Sequence, residues 1–87
     1  MGSKTYDGVW FTCYSHDHPP PHVHARSNGV EVVIDLLPGG KIVRSTRPRP
    51  IKPANAQRSE INRILYVAAA HSIELQQLWE KTHGQTS

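Results

Sequence analysis

The chain has 87 residues, 37% of them hydrophobic, and a formal net charge of +3, so we expect one folded domain and neither a disordered tail nor a second core. Its apolar stretches are too short to cross a bilayer, no signal-peptide pattern opens it, and its single cysteine excludes an internal disulfide and an all-cysteine zinc site. These features predict a cytoplasmic protein without a membrane-spanning segment.

The first half of the chain predicts an antiparallel sheet. Residues 8–14 are rich in aromatic and β-branched side chains, and residues 22–26 resume an extended pattern after three prolines. Residues 30–36 alternate apolar and acidic side chains, and residues 41–46 follow a Pro-Gly-Gly turn as a short further strand. We therefore expect a three- or four-stranded meander over about residues 8–46, with one buried face.

A basic, proline-rich connector and a helix follow the sheet. Residues 47–53 alternate proline with mostly basic residues, which predicts an extended connector outside the sheet and the helix. Residues 54–82 contain no proline or glycine, their apolar residues recur at helical spacing, and Asn55 is placed to cap a helix. The pattern predicts an α+β fold in which one long C-terminal helix packs on the meander. The other face of the sheet stays open as a binding surface or a homodimer interface.

Positive charge is concentrated in the middle of the chain. Seven basic residues lie between Pro38 and Arg63, where Glu60 is the only acid. Such a segment attracts a phosphate backbone or an acidic protein partner, although a solvated surface explains it equally well. The side chains that we expect to contact a partner are basic or aromatic: Arg44, Arg47, Arg49, Lys52, Trp10 and Tyr14.

The main chemical signal is the run Asp17-His18-Pro19-Pro20-Pro21-His22-Val23-His24. His22 and His24 are two residues apart on a predicted strand, so both rings leave the same face from backbone positions about 7 Å apart. That spacing lets two imidazoles bind one metal ion, or act on one phosphate as an acid–base pair. The prolines would position His18 opposite them, and Asp17 would orient an imidazole by accepting its second N–H.

Three interpretations of the histidines stay open. In the first, zinc or another divalent transition metal is held by ligands drawn from His18, His22, His24 and His71, with Cys13 a weaker ligand. In the second, His18, His22 and His24 serve a nuclease as ligands or acid–base groups. In the third, neutral imidazoles only form hydrogen bonds to the backbone around the proline turn.

Two separated motifs resemble the small bacterial domain-of-unknown-function family 4160. Its members combine Asp-His-x-Pro-Pro-His-x-His with a C-terminal helix that carries a His…Glu-Leu…Trp pattern. This chain matches the first motif at residues 17–24 and the second at His71, Glu74, Leu75 and Trp79. It departs from the family at residues 47–51, where members usually have a Gly-x-Leu-Pro stretch.

The resemblance implies a genomic context more than an activity. Members often lie beside another small domain of unknown function, in loci that resemble toxin–antitoxin pairs or mobile elements. We therefore expect a cytoplasmic interaction or regulatory protein that binds a protein partner, with nucleic acid as a further ligand of the basic connector. This expectation favours a role other than catalysis, and a nuclease or a metal-binding module is the alternative.

Overall fold

The computed structural model describes residues 2–83, which form a six-stranded antiparallel sheet with two helices on one face. The strands are β1 (Gly2–Tyr6), β2 (Val9–Cys13), β3 (His22–Ser27), β4 (Val30–Leu37), β5 (Lys41–Arg44) and β6 (Ile51–Lys52), and the helices are α1 (Arg58–Ala70) and α2 (Ser72–Thr82). Strands β1 to β5 lie side by side in chain order, and β6 pairs with β4. The α+β class and the antiparallel meander are confirmed, but the sheet has more strands than predicted and the helix is not one piece.

Strand β1 is the first difference from the prediction. Most of its side chains are exposed, so it lacks the alternation of apolar and polar residues by which a strand is predicted. It pairs with β2 through the two-residue turn Asp7-Gly8, whose φ angles are 50° and 80°. Both angles are left-handed, as a type I′ hairpin turn requires, and Asp-Gly is a favoured pair there. That pair is the sequence signal for the strand that the prediction missed.

The prediction of one long helix is wrong because the helix breaks at His71, where φ is −121°. Helix α1 begins only at Arg58 with Gln57 as its N-cap residue, so the cap predicted at Asn55 does not form. At about 1.5 Å per residue, a straight helix over residues 54–82 would be about 43 Å long. Five strands spaced about 4.8 Å apart are only about 19 Å across. The break lets α1 pack mainly over β3 to β5 and α2 mainly over β1 and β2. Neither helix within residues 2–83 is long and apolar enough to span a membrane.

The core lies between the helices and the covered face of the sheet. Its fully buried members come from alternate strand positions and from one side of each helix: Val9, Phe11, Cys13, Val23, Ala25, Val32, Ile34, Ile64, Ala68 and Leu75. Removal of these side chains from water is the main stabilising contribution. Because successive strand residues point to opposite faces, the residues next to Val23 and Ala25 lie on the uncovered face. His22 and His24 therefore leave the sheet on the face opposite to that of Val23 and Ala25.

Strands β5 and β6 form one edge strand that is interrupted opposite Val33. The Val33 carbonyl accepts a hydrogen bond from the Ser45 N–H at 2.9 Å, and the Val33 N–H donates to the Pro50 carbonyl at 2.8 Å. Between these two contacts, residues 46–49 do not pair with β4, and this segment is called the edge loop below. The prediction that the basic connector lies outside the sheet is therefore wrong for Ile51 and Lys52, which pair with β4 after the edge loop.

Candidate metal centre

The histidine motif and the edge loop meet on the uncovered face of the sheet. His24 lies in the middle of that face, with Thr12 of β2 and Val33 of β4 directly opposite it. His22 begins β3, and Asp17 belongs to the loop that joins β2 to β3. Because the loop folds back over the sheet, the Asp17 carboxylate reaches both imidazoles.

Three potential ligand atoms converge at this point. Asp17 Oδ2 lies 3.5 Å from His22 Nε2 and 3.4 Å from His24 Nε2. The ligand atoms that Asp17, His22 and His24 offer all lie within 4.8 Å of one another. With metal–ligand bonds of about 2.0–2.2 Å, neighbouring ligands of one ion are about 3.0–3.5 Å apart. Both distances between the carboxylate and an imidazole already have the value that a metal centre needs.

The His24 ring is oriented as metal-ligating histidines are. Its Nδ1 lies 3.5 Å from Glu31 Oε2, and a carboxylate at this place can accept the Nδ1 proton and leave the Nε2 lone pair for the centre. Nε2 is buried and makes no hydrogen bond with any residue between 2 and 83. A buried nitrogen without a hydrogen bond costs free energy, which a bound ion would recover. The Tyr14 ring closes this side of the centre, 5.1 Å from the His24 ring.

The His22 ring is held through the Pro20 carbonyl. This oxygen lies 3.0 Å from His22 Nδ1 and 3.2 Å from Arg47 Nη2, and the two nitrogens are 3.1 Å apart. A carbonyl has two lone pairs, so it can accept from both nitrogens, and the His22 Nε2 lone pair then faces Asp17. In the other tautomer Arg47 donates to Nδ1 and the proton lies on Nε2. The first tautomer is the one that binds a metal.

The loop that carries Asp17 is anchored to β2 and to α2. Asp17 Oδ2 accepts a hydrogen bond from the Tyr14 N–H at 3.2 Å, and the Asp17 N–H donates to the Tyr14 carbonyl at 3.0 Å. The Asp17 carbonyl lies 3.1 Å from His83 Nε2, and the His83 ring stacks on Trp79 at 3.6 Å. Trp79 also packs against His22, with ring centres 5.4 Å apart. Trp79 of the C-terminal motif therefore contacts both His22 of the histidine motif and the His83 ring that holds the loop.

The remaining predicted ligands lie outside this centre. His18 is exposed and does not join the cluster of Asp17, His22 and His24. His71 lies at the helix break, where its ring stacks on Tyr6 at 3.9 Å. Asp17 takes their place in the cluster, although the sequence predicted only an orienting role for it. Asp17 lies just before the three prolines, and the chain returns to the sheet at His22 after them. This position is the sequence signal for a third candidate ligand.

Cys13 is not available as a ligand. Its side chain is fully buried, and Sγ donates to the His22 carbonyl at 3.7 Å. Burial raises the pKa of the Cys13 thiol to about 12, and the negative charge of Asp17 adds to the rise. The thiol therefore stays protonated at neutral pH, whereas metal binding requires the thiolate.

The predicted partner-binding residues do not form one surface. A cleft of about 310 Å³ beside the cluster has a wall formed by the edge loop and β6; its lining includes Asp17, His22, His24, Glu31, Arg47, Arg49 and Lys52. Arg44 instead lines a separate recess with Arg58. Trp10 is 44% exposed and lies 5.1 Å from the Arg26 guanidinium, outside the cleft. The histidines and the basic connector are separate features of the sequence, but both line one cleft.

Comparison with known proteins agrees with the family resemblance. The model of one family, a domain of unknown function (DUF4160), matches residues 8–80. No curated protein and no solved structure shows a significant match to the chain. The matched residues include the loop with Asp17, strands β2 to β6 and most of both helices. The chain therefore belongs to the DUF4160 family of domains of unknown function.

Proposed function

We propose that the protein binds one divalent transition-metal ion through Asp17, His22 and His24. The observation that carries the proposal is the convergence of two imidazole Nε2 atoms on one carboxylate oxygen, at 3.5 and 3.4 Å. Each Nδ1 atom faces an oxygen that can accept its proton, from Pro20 or Glu31. Zinc, iron(II), cobalt(II) and nickel(II) all accept a ligand set of two imidazoles and one carboxylate.

The ligand count indicates an open site. A structural zinc site is closed by four protein ligands, whereas three protein ligands leave a position for water or another molecule. The cleft is lined by the same three side chains, so that position would face the cleft. This proposal keeps two of the predicted metal ligands, His22 and His24, and replaces His18 and His71 by Asp17.

The test is metal binding by protein purified without a histidine tag. Metal content is measured by elemental analysis, and cobalt(II) is titrated while its visible absorption is recorded. We expect one ion per chain, and weaker binding in the variants Asp17→Asn and His24→Ala. The affinity of these variants for cobalt(II) should fall by more than about 10–100-fold, which is the loss expected when only a hydrogen-bond partner of a ligand is removed.

His18→Ala is the matched control, because His18 belongs to the same motif but is exposed and outside the cluster. It should bind cobalt(II) as the wild type does. Circular dichroism shows whether each variant is folded. Two results would refute the proposal: no cobalt(II) binding by the folded wild type, or the same affinity in the wild type, Asp17→Asn and His24→Ala.

A further inference from the structure

One wall of the cleft beside the metal ligands is cationic. Arg47, Arg49 and Lys52 line it together with Pro48 and Pro50. Lys52 lies opposite Glu31 in the pairing of β6 with β4, so its side chain is on the same sheet face as the metal ligands. The volume of about 310 Å³ is at the small end of the range for ligand sites. The cleft therefore has room for one small charged group and part of the molecule that carries it.

Two of the three cations are available to a ligand. The Arg47 guanidinium is already engaged, since Nη2 donates to the Pro20 carbonyl and Nε lies 3.9 Å from Asp35 Oδ1. The side chains of Arg49 and Lys52 make no hydrogen bond or ion pair with any residue in the described part of the chain. Arg47 thus holds the edge loop against the histidine site, and Arg49 and Lys52 supply free positive charge.

The backbone presents Arg49 in a fixed position. Arg49 has a φ of 55°, a left-handed conformation that side chains other than glycine adopt rarely. It stands between Pro48 and Pro50, whose rings restrict the backbone on both sides. A strained, preorganised residue is typical of a ligand site, because less conformational entropy is lost on binding.

The charges select the class of ligand. Asp17 and Glu31 offset Arg49 and Lys52 in the free cleft, so a bound divalent ion makes the cleft strongly positive. The ligand must then place oxygen atoms on three positive groups, which are the open metal position, Arg49 and Lys52. A phosphomonoester has three unesterified oxygens, one for each group, whereas a carboxylate or a phosphodiester has only two.

We propose that the cleft binds a phosphate group, with one oxygen on the metal ion and the others on Arg49 and Lys52. This inference rests on the proposed metal site. A free mononucleotide and the terminal 5′-phosphate of a nucleic-acid strand share this chemistry.

The test uses protein loaded with cobalt(II), whose visible absorption reports a change of ligand. A nucleoside 5′-monophosphate should shift the spectrum, while the unphosphorylated nucleoside and acetate at the same concentration should not. An oligonucleotide with a terminal 5′-phosphate is the second source, and the same strand without that phosphate is its control. A shift with the mononucleotide alone identifies a small-molecule site, and a shift that depends on the terminal phosphate of the oligonucleotide identifies a site for the end of a strand; either supports the proposal.

A pair of double variants isolates the wall of the cleft. Arg49→Gln/Lys52→Gln should keep its affinity for cobalt(II) and lose affinity for the phosphate ligand by about tenfold or more. Arg44→Gln/Arg58→Gln removes the same charge from the separate recess and should change neither affinity.

The outcomes separate the two proposals. Absence of cobalt(II) binding overturns both the metal site and the phosphate site. Cobalt(II) binding with a spectrum that ignores both phosphate probes overturns the phosphate site only. An equal loss of phosphate affinity in both double variants also overturns it, because general charge and not the cleft would then attract the ligand.

Discussion

The edge loop should depend on Arg47 for its attachment to the sheet. Arg47 Nη2 donates to the Pro20 carbonyl at 3.2 Å, and Nε lies 3.9 Å from Asp35 Oδ1. Substitution Arg47→Met keeps a long side chain and removes both interactions. A hydrogen bond from a charged group contributes about 1.5–3 kcal/mol. The Arg47 side chain is 35% exposed, so solvent screening reduces this to about 1–2 kcal/mol.

The substitution also leaves the buried Asp35 Oδ1 without its nearest cation, which adds up to about 1 kcal/mol. We therefore expect the free energy of unfolding of Arg47→Met to fall by about 2 kcal/mol. For a domain of this size the melting temperature should drop by roughly 8–16 °C. Urea denaturation in EDTA, followed by circular dichroism, measures the change without any contribution from bound metal.

Arg49→Met is the matched control for this prediction. Arg49 lies on the same loop, has the same charge, and its side chain makes no contact of this kind within residues 2–83, so its loss should change stability by less than about 0.5 kcal/mol. A double-mutant cycle with Asp35→Asn tests the pair directly, and the two substitutions should not be additive. Equal stability of Arg47→Met and Arg49→Met would show that Arg47 does not hold the loop.

Three further predictions concern the core, the buried thiol and the first turn. Ile64→Ala, at a fully buried position, should lower the free energy of unfolding in urea by about 2–5 kcal/mol; Tyr66→Ala, at a position 77% exposed, should change it by less than about 0.5 kcal/mol. Because burial raises the pKa of the Cys13 thiol from 9.0 to about 12, iodoacetamide at pH 9 should modify only unfolded protein, as mass spectrometry will show. The buried, protonated thiol contributes its full stabilisation below pH 9, and the free energy of unfolding falls as the pH rises from 9 towards 12. Gly8→Ala should cost about 1–2 kcal/mol in the same urea assay, since φ at Gly8 is +80° and no neighbouring atom obstructs a Cβ; no loss would contradict the assignment of a type I′ turn.

The role in a toxin–antitoxin-like locus, with a protein partner bound through the basic connector, remains a prediction. The structure gives that prediction a more specific surface, because Arg47, Arg49 and Lys52 share the cleft and Arg44 does not. Capture of a partner from native lysate, with and without nuclease treatment, tests it. Loss of capture in Arg49→Gln/Lys52→Gln and not in Arg44→Gln/Arg58→Gln would assign the contact to the cleft.

Local patterns were sufficient for most of the fold. Alternation along residues 30–36 predicted β4, and the observed strand Val30–Leu37 buries Val32, Ile34 and Leu36 as that pattern requires. The helical spacing of apolar residues likewise predicted the face of α1 and α2 that covers the sheet. Both succeed because the repeat of a strand or a helix determines which side chains can share a buried face. Strand β1 escaped this reasoning because it is an exposed edge strand without an apolar repeat.

The candidate site depended on contacts between distant parts of the chain. The spacing of His22 and His24 predicted that they share a sheet face, and their ring centres are indeed 5.3 Å apart. The third candidate ligand atom, from Asp17, comes from a loop whose path is held by His83, and the cationic wall comes from the edge loop and β6. Those contacts join residues 66 and 25 positions apart, Asp17 with His83 and His22 with Arg47. Local periodicity carries no information about such loop paths, so only the packed tertiary structure brings the carboxylate, the imidazoles and the cations into one cleft.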